Sequence, residues 1–326
     1  MSDPRRLPQL HIGKVPIYGD LILAPMASYG DLPFRTLCGE MGSAFSFLPC
    51  VLDEGVLRNP RRTSGLVEFA SEERPIALQL LGRQADTLVA AAEALMALRP
   101  DIMDLNAGCP ARRVFYRGRG AALLQDPLQL GEFVRRLVAV LPVPVTCKIR
   151  LGWDDTTRNY LEVAHILEES GAAAISVHGR TKEQGYSGVA DWRAIGEVVA
   201  RVSVPVLANG DVRTVADIEA IKAQTGCAAV LIGRGAVGNP WILARRDLGD
   251  VPWSERLALI RRHLAAMQDY YGDTQGLMLF RKFVVKYVAT LEGANALRPR
   301  LMEAQTAEAL LALLEQGVEA ASSAQV

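Results

Sequence analysis

Eight short runs of apolar and β-branched residues follow one another between positions 21 and 236, with stretches of helical period between them. The runs are 21–26, 44–51, 75–82, 102–108, 144–152, 173–181, 205–211 and 228–236, and the helical stretches include 86–98, 127–141, 159–170, 191–200 and 214–224. Parallel strands need a crossover between them, usually a helix. Eight strand–helix repeats therefore predict an α/β chain closed into a (β/α)8 TIM barrel. An open doubly wound sheet is the alternative, but its usual GxGxxG after the first strand is missing.

Nearly every run ends in a residue with chemical capacity: Met26, Gln79, Asn106, Lys148 with Arg150, His178 with Arg180, Asn209, and Gly233 with Arg234. In a barrel all these carboxyl ends converge on one face, where the active sites of this fold lie. From about residue 250 the pattern becomes helical only, with apolar periods over 254–271, 280–291 and 306–316 and breaks at Gly272 and Gly293. Between Arg256 and Arg300 eight Lys/Arg face three acids (Asp269, Asp273, Glu292). That is a basic stretch, readable either as a nucleic-acid face or as an ordinary solvated one. The last residues, 322–326, read as a frayed end.

The composition suits a large soluble enzyme, with 326 residues, 50% of them apolar and 22% charged. Lys+Arg and Asp+Glu balance at 36 each, so net charge points to no partner. No apolar run nears the ~20 residues of a membrane span, and the amino terminus has no signal-like segment. The five cysteines form no CxxC pair, which argues against a disulfide framework, zinc or an iron–sulfur cluster and fits the reducing cytoplasm.

Several segments carry candidate chemistry. Asn209-Gly210-Asp211 and Gly233-Arg234 follow the last two strands, where barrels recurrently bind phosphate; the alternative is that these glycines only shape turns. Alternation on the fifth strand puts Lys148 and Arg150 on one face and Cys147 on the other. Lys148 then needs a partner, either an anionic cofactor or a structural ion pair, whereas Cys147 reads as core filler. His178 and Arg180 alternate in the same way on the sixth strand, and His178 gains interest from these neighbours. Cys109, in Asn106-Ala107-Gly108-Cys109-Pro110, lies past the fourth strand at the mouth. There it can serve as a general acid, a nucleophile or a buried apolar residue. The loop 112–120 interleaves arginines with Phe115 and Tyr116, a composition suited to RNA or to a solvated lid.

Together these segments resemble the tRNA-dihydrouridine synthases, nearest their bacterial B-type branch, over almost the whole chain. The resemblance runs through Ala24-Pro25-Met26-Ala27, Asp31-Leu32-Pro33-Phe34-Arg35, Gln79-Leu80, Asn106-Ala107-Gly108-Cys109-Pro110 and Gly120-Ala121-Ala122-Leu123-Leu124. It continues through Lys148-Ile149-Arg150, His178-Gly179-Arg180-Thr181, the segment 186–192, Asn209-Gly210-Asp211 and Gly233-Arg234. It implies an FMN-binding barrel over residues 1–245 and a helical tRNA-binding domain over 250–326. It further implies that Pro25, Met26 and Ala27 line the flavin ring, with Gln79 at its edge and Lys148 and His178 beside it. Asn209, Gly210, Asp211, Gly233 and Arg234 match the phosphate cradle. NADPH is the implied reductant, and a hydride passes to C6 of a flipped-out uridine while Cys109 protonates C5. Asn106 and Arg180 match residues that hold the uracil, and Arg281-Lys282 matches a basic signature of the tail.

Two segments depart from the family pattern: Phe283 stands where a histidine usually follows Arg-Lys, and Leu48-Pro49 stands where Thr-Glu is common. The expected protein is a cytoplasmic monomer with tRNA and NADPH as partners, no metal and no membrane. A free-pyrimidine flavoenzyme resembling dihydroorotate dehydrogenases and a non-catalytic RNA-binding barrel are the rival readings. The basic tail and the arginine–aromatic loop favour tRNA over a free base, and the presence of Cys109 and Lys148 argues against a barrel that has lost catalysis.

Overall fold

The structure is a computed structural model that describes residues 7–59, 63 and 65–323. The chain forms two compact units that divide between Gly233 and Arg234. In the first, eight parallel strands close into a ring: β3 (Leu21–Leu23), β4 (Ser46–Phe47), β6 (Ile76–Leu81), β7 (Ile102–Ala107), β8 (Val145–Arg150), β9 (Ala174–His178), β10 (Val206–Asn209) and β11 (Ala229–Ile232). Pairing of β11 with β3 and of β4 with β6 completes the (β/α)8 barrel.

A short hairpin precedes the ring, β1 (Leu10–Ile12) and β2 (Val15–Ile17), turning at Gly13, whose φ of 55° favours glycine. Leu10, Ile12 and Ile17 bury against the inward Ile22, Phe47, Ala77 and Ile102, plugging the barrel. The expected strand 44–51 is broken. β4 ends at Phe47 and a two-residue strand, β5 (Val51–Leu52), rejoins β6 further along. Pro49 lies in the gap, where its missing N–H fits the loss of the ladder.

The surrounding helices start where capping residues predict. Asp126 Oδ1 accepts from Gln129 N at 3.0 Å to open Pro127–Val140, and Asp191 Oδ1 accepts from Ala194 N at 3.1 Å to open Trp192–Arg201. Thr214 and Asp217 form a capping box at the start of Val215–Thr225.

The second unit contains the helices Arg234–Gly238, Trp253–Tyr271, Asp273–Tyr287, Ala294–Glu303 and Ala307–Ser323. Residues from 234 join it because a Cβ on Gly238 would lie 3.1 Å from the carbonyl of Lys286, so Arg234–Gly238 seats on the Asp273–Tyr287 helix. The expected helix 280–291 is shorter at its end and begins earlier, directly after Gly272, whose φ is 80°. Ala294–Glu303 was not foreseen, since Pro299 within it obscures the period. The last helix runs through Ser323, so the expected frayed end is helical at 322–323, and 324–326 lie outside the described residues. Among the described residues no helix is long and apolar enough to cross a membrane.

Candidate active site

Strand register gathers the polar residues into rungs. Gln79 pairs with Asp104 and Asp104 with Thr146; one step toward the mouth Asn106 pairs with Lys148 and Lys148 with Ser176. A further step brings Arg150 opposite His178, and His178 opposite Asn209. Alternation turns these side chains toward the same side of the sheet.

Hydrogen bonds join the lower rungs. Thr146 Oγ1 donates to Asp104 Oδ1 at 2.6 Å, and Gln79 Nε2 donates to Asp104 Oδ2 at 2.7 Å. Asn106 Nδ2 donates to Gln79 Oε1 at 2.8 Å, while Asn106 Oδ1 accepts from Gly108 N at 3.1 Å and Cys109 N at 2.9 Å. Asp104 is fully buried, and that burial lifts its carboxyl to about pH 6 despite the bonds from Thr146 and Gln79.

Lys148 Nζ donates to Asn209 Oδ1 at 2.9 Å, and Asn209 Nδ2 donates to the carbonyl of Leu231 at 2.8 Å. Burial, then the nearby Arg150, lower Lys148 to about 7, so its charge is held only weakly without an anion beside it. Arg150 is turned to structural work, its Nε bonding the carbonyl of Gly108 at 2.8 Å and its Nη1 the carbonyls of Thr181 and Gly185.

Cys109 is partly exposed, its amide tied to Asn106. Gly120, with φ of 61°, passes so close that a Cβ there would lie 2.9 Å from Cys109 Cβ. That approach explains why Gly120-Ala121 follows the cysteine loop, and Ala121 N donates to the carbonyl of Cys109 at 3.2 Å. Cys147 is buried in the wall, with its thiol pushed well up by burial.

His178 Nε2 lies 3.3 Å from Arg180 Nη1. Arg180 is buried and heavily engaged, with Nη2 on Asp211 Oδ2 at 2.5 Å and on the carbonyl of Gly188 at 2.8 Å, and Nε on the carbonyl of Ser187. Burial opposes the charge on Asp211, but the bonds from Arg180 and from Ala190 N outweigh it and hold the carboxyl below its usual range. Asp211 therefore clasps a loop with its side chain, and its φ of 57° is left-handed for a non-glycine residue. Gly210 is needed because a Cβ there would stand 2.7 Å from Ala190 Cβ and 3.2 Å from the His178 ring. A Cβ on Gly233 would meet Met26 Sδ and Ala24 Cβ at 3.6 Å, which joins the ends of the first and eighth strands. Pro25 and Met26 are half-buried and Ala27 is exposed. Arg234 is exposed and opens the second unit.

In that unit Arg281 spends Nη2 on the carbonyl of Ala304 at 2.6 Å, and Lys282 Nζ lies 4.9 Å from the Phe283 ring. Phe283 is core, 4.6 Å from the ring of His263, which burial lowers to about pH 3. Of the eight basic residues, Arg256 is also structural, buried on Trp253 and bonded to Val251 and Thr290. Arg261, Arg262, Lys286 and Arg300 are exposed.

Asp104, Thr146 and Cys50 were missed in the sequence. Cys50 Sγ receives a weak 3.9 Å contact from Asn106 Nδ2, and burial, then the neighbouring Cys109, push its thiol up. Asp104 shares the parity of Asn106 on β7, and the alternation applied to the fifth strand would have found it. Among the described residues no cluster of His, Cys, Asp or Glu is placed to hold a metal.

A barrel with a rung of amides, a lysine and a mouth cysteine is the framework of an enzyme site. Solved structures with this architecture include a histamine dehydrogenase from Rhizobium sp. 4-9, with TM-score 0.57, 13% identity, and coverage of 79% of this chain and 50% of that one. A 2-naphthoyl-CoA reductase gives TM-score 0.58 at 10% identity over 72% of this chain and 50% of its own, so both show the fold alone.

The model of the family described as "Dihydrouridine synthase (Dus)" matches residues 22–325, and the chain belongs to that family. It is 37% identical to tRNA-dihydrouridine synthase B of Pseudomonas syringae pv. tomato, over 92% of this chain and 91% of the relative. It is 36% identical to the protein of that name in Pseudomonas aeruginosa, over 94% and 95%, and 36% identical to a probable tRNA-dihydrouridine synthase of Rhodobacter capsulatus, over 90% and 93%.

Proposed function

We propose that this chain reduces the C5–C6 bond of a uridine in tRNA to 5,6-dihydrouridine, using FMN and NADPH, with Cys109 as proton donor. The observation that carries the reading is the Cys109 loop, pinned through Asn106 to the polar rungs of a barrel whose family makes dihydrouridine.

The mouth fits a flavin on its own chemistry. Ser176 Oγ, one rung partner of Lys148, is buried without a hydrogen-bond partner among the described residues. A side chain at Gly233 would fill the space beside Met26. Lys148 has a depressed pKa that an adjacent anion would restore. Pro25, Met26, Ala27, Gln79, Lys148 and His178 would hold the ring, and Asn209, Gly210, the backbone of Asp211 and Gly233 would hold the phosphate, with Arg234 next in the chain. When bound, FMN supplies the hydride that goes to C6 of the uracil, and NADPH renews it.

The protein's own part is placement and a proton. Asn106 holds the base with its amide, and Arg180 acts through the loop it clasps with Asp211. The Cys109 S–H bond breaks as the new C5–H bond forms, leaving a thiolate to recover its proton from solvent. Residues 1–245 would serve as the catalytic part and residues 250–326, with Arg281 and Lys282, as the tRNA-binding part. The rim loop supports an RNA substrate. Tyr116 is 70% exposed with Arg112 5.6 Å above its ring, and Lys182 Nζ lies about 4 Å from both Phe115 and Trp153. We place this chemistry in the cytoplasm, carried out by a monomer.

The test is direct: the purified protein should bind FMN and, with NADPH, add two hydrogens to a uridine of unmodified tRNA, read by nucleoside mass spectrometry. Reduction of free uracil with none of tRNA would favour the free-pyrimidine reading, and failure to bind flavin would end both.

A further inference from the structure

Asp104 carries a fully buried carboxylate at the barrel's centre that the reaction above does not touch. Its purpose can be worked out from the far end of the chain of hydrogen bonds. Backbone N–H groups only donate, and Gly108 N and Cys109 N both point to Asn106, which must therefore present Oδ1. Asn106 Nδ2 is left to face Gln79, so Gln79 must present Oε1. Gln79 then has only Nε2 to offer the next strand, and whatever stands there must accept. Asp104 accepts, and its second oxygen takes the hydroxyl of Thr146. Reversing either amide would set two donors or two acceptors against each other and leave polar groups unpaired beside the buried Gln79.

We propose that Asp104 is a positioning residue: as the acceptor that terminates this chain, it fixes the amide orientation of Gln79 and Asn106 and, through them, the backbone of Cys109. The inference rests on the proposed function, in which Gln79 meets the flavin edge and Asn106 the uracil. It also explains what Asn106 offers the substrate. With Oδ1 filled by two backbone donors, its remaining capacity is the Nδ2 proton now spent on the weak contact to Cys50 Sγ. That is a donor suited to a uracil carbonyl oxygen, and the sulfur contact is the one such an oxygen would replace.

The experiment uses the full chain with two readouts. One is the rate of Cys109 alkylation by iodoacetamide in flavin-free protein, resolved from Cys50 by peptide mass spectrometry. The other is kcat and KM on unmodified tRNA with FMN and NADPH. D104N can still accept from Gln79 while donating to Thr146, so it should stay within about threefold of wild type on both. D104L leaves Gln79 Nε2 without an acceptor. It should alter the alkylation rate at least about threefold and lower kcat about tenfold or more, with KM for tRNA unchanged.

Should D104L not fold, polarity can be inverted instead. Q79E sets two carboxylates together and should disturb Cys109 alkylation, and Q79E/D104N restores a donor–acceptor pair and should rescue it. Wild-type behaviour of D104L, D104N as impaired as D104L, or no rescue in the double variant each overturns the proposal. Wild-type protein that makes no dihydrouridine would overturn the functional reading instead, while the alkylation arm still decides the role of Asp104.

Discussion

At the scale of single residues the site depends on two side chains held for different tasks. Cys109→Ala removes the proposed acid but none of the rung contacts, because its bond to Asn106 is made by the backbone. Turnover on tRNA should fall by roughly 10²–10⁴-fold while FMN binding stays intact, measured by single-turnover assay and flavin titration. Undiminished turnover would remove Cys109 from the reaction. Lys148 gives a pH prediction. Its folded pKa of about 7 lies below the ordinary lysine value, so between the two the unfolded chain carries a proton that the native chain lacks. Stability contributed by this group therefore rises with pH through that window and is absent below it. The reduced flavin ring is anionic in this range and would reverse the shift, so binding of reduced FMN near pH 8 to 9 should take up a proton. Calorimetry in buffers of differing ionisation enthalpy would detect it, and Lys148→Met should abolish it.

At the scale of elements, alternation along a strand was legible while pairing between strands was not. Lys148 and Cys147 could be assigned to opposite faces from spacing alone, and Cys147 is buried in the wall as that spacing requires. The same rule applied to β7 would have exposed Asp104, but a lone acid within an apolar run looks like noise until Gln79 and Thr146 are known to flank it. The break in the second strand was hidden for another reason: Leu48 still bonds β6, its N–H donating to Ala77 at 2.8 Å, so the run looks continuous although Pro49 ends the ladder. Gly120 shows how one element constrains another. Gly120→Ala meets a φ of 61° and the Cys109 Cβ at 2.9 Å, so the cysteine loop must shift. We expect kcat on tRNA to fall by about tenfold or more, with FMN affinity unchanged; a variant with wild-type kcat would show that the loop tolerates the displacement.

At the scale of the whole molecule, part of the family motif is about stability. Arg35, in Asp31-Leu32-Pro33-Phe34-Arg35, is buried against Glu73 at 2.7 Å and also bonds the carbonyls of Gly30 and Glu68. Arg35→Ala leaves the Glu73 carboxylate buried without that cation, and should cost about 3–5 kcal/mol in denaturant unfolding of the full chain. A loss under about 1 kcal/mol would mean that the loop reorganises to hydrate Glu73. The amino-acid sequence by itself determined the barrel, the helical tail and the convergence of strand ends, because period and chain direction follow from local residue order. It also determined the family, through motifs that keep their order along the chain. Only the tertiary structure decided which motif residues face outward for chemistry and which are spent inside. Arg150, Arg180, Arg256 and the Asp211 side chain are internal ties, and Asp104 anchors the amides behind Cys109. The physical reason is that a hydrogen bond between strands depends on register and on how each donor and acceptor is already used, and those belong to the closed ring.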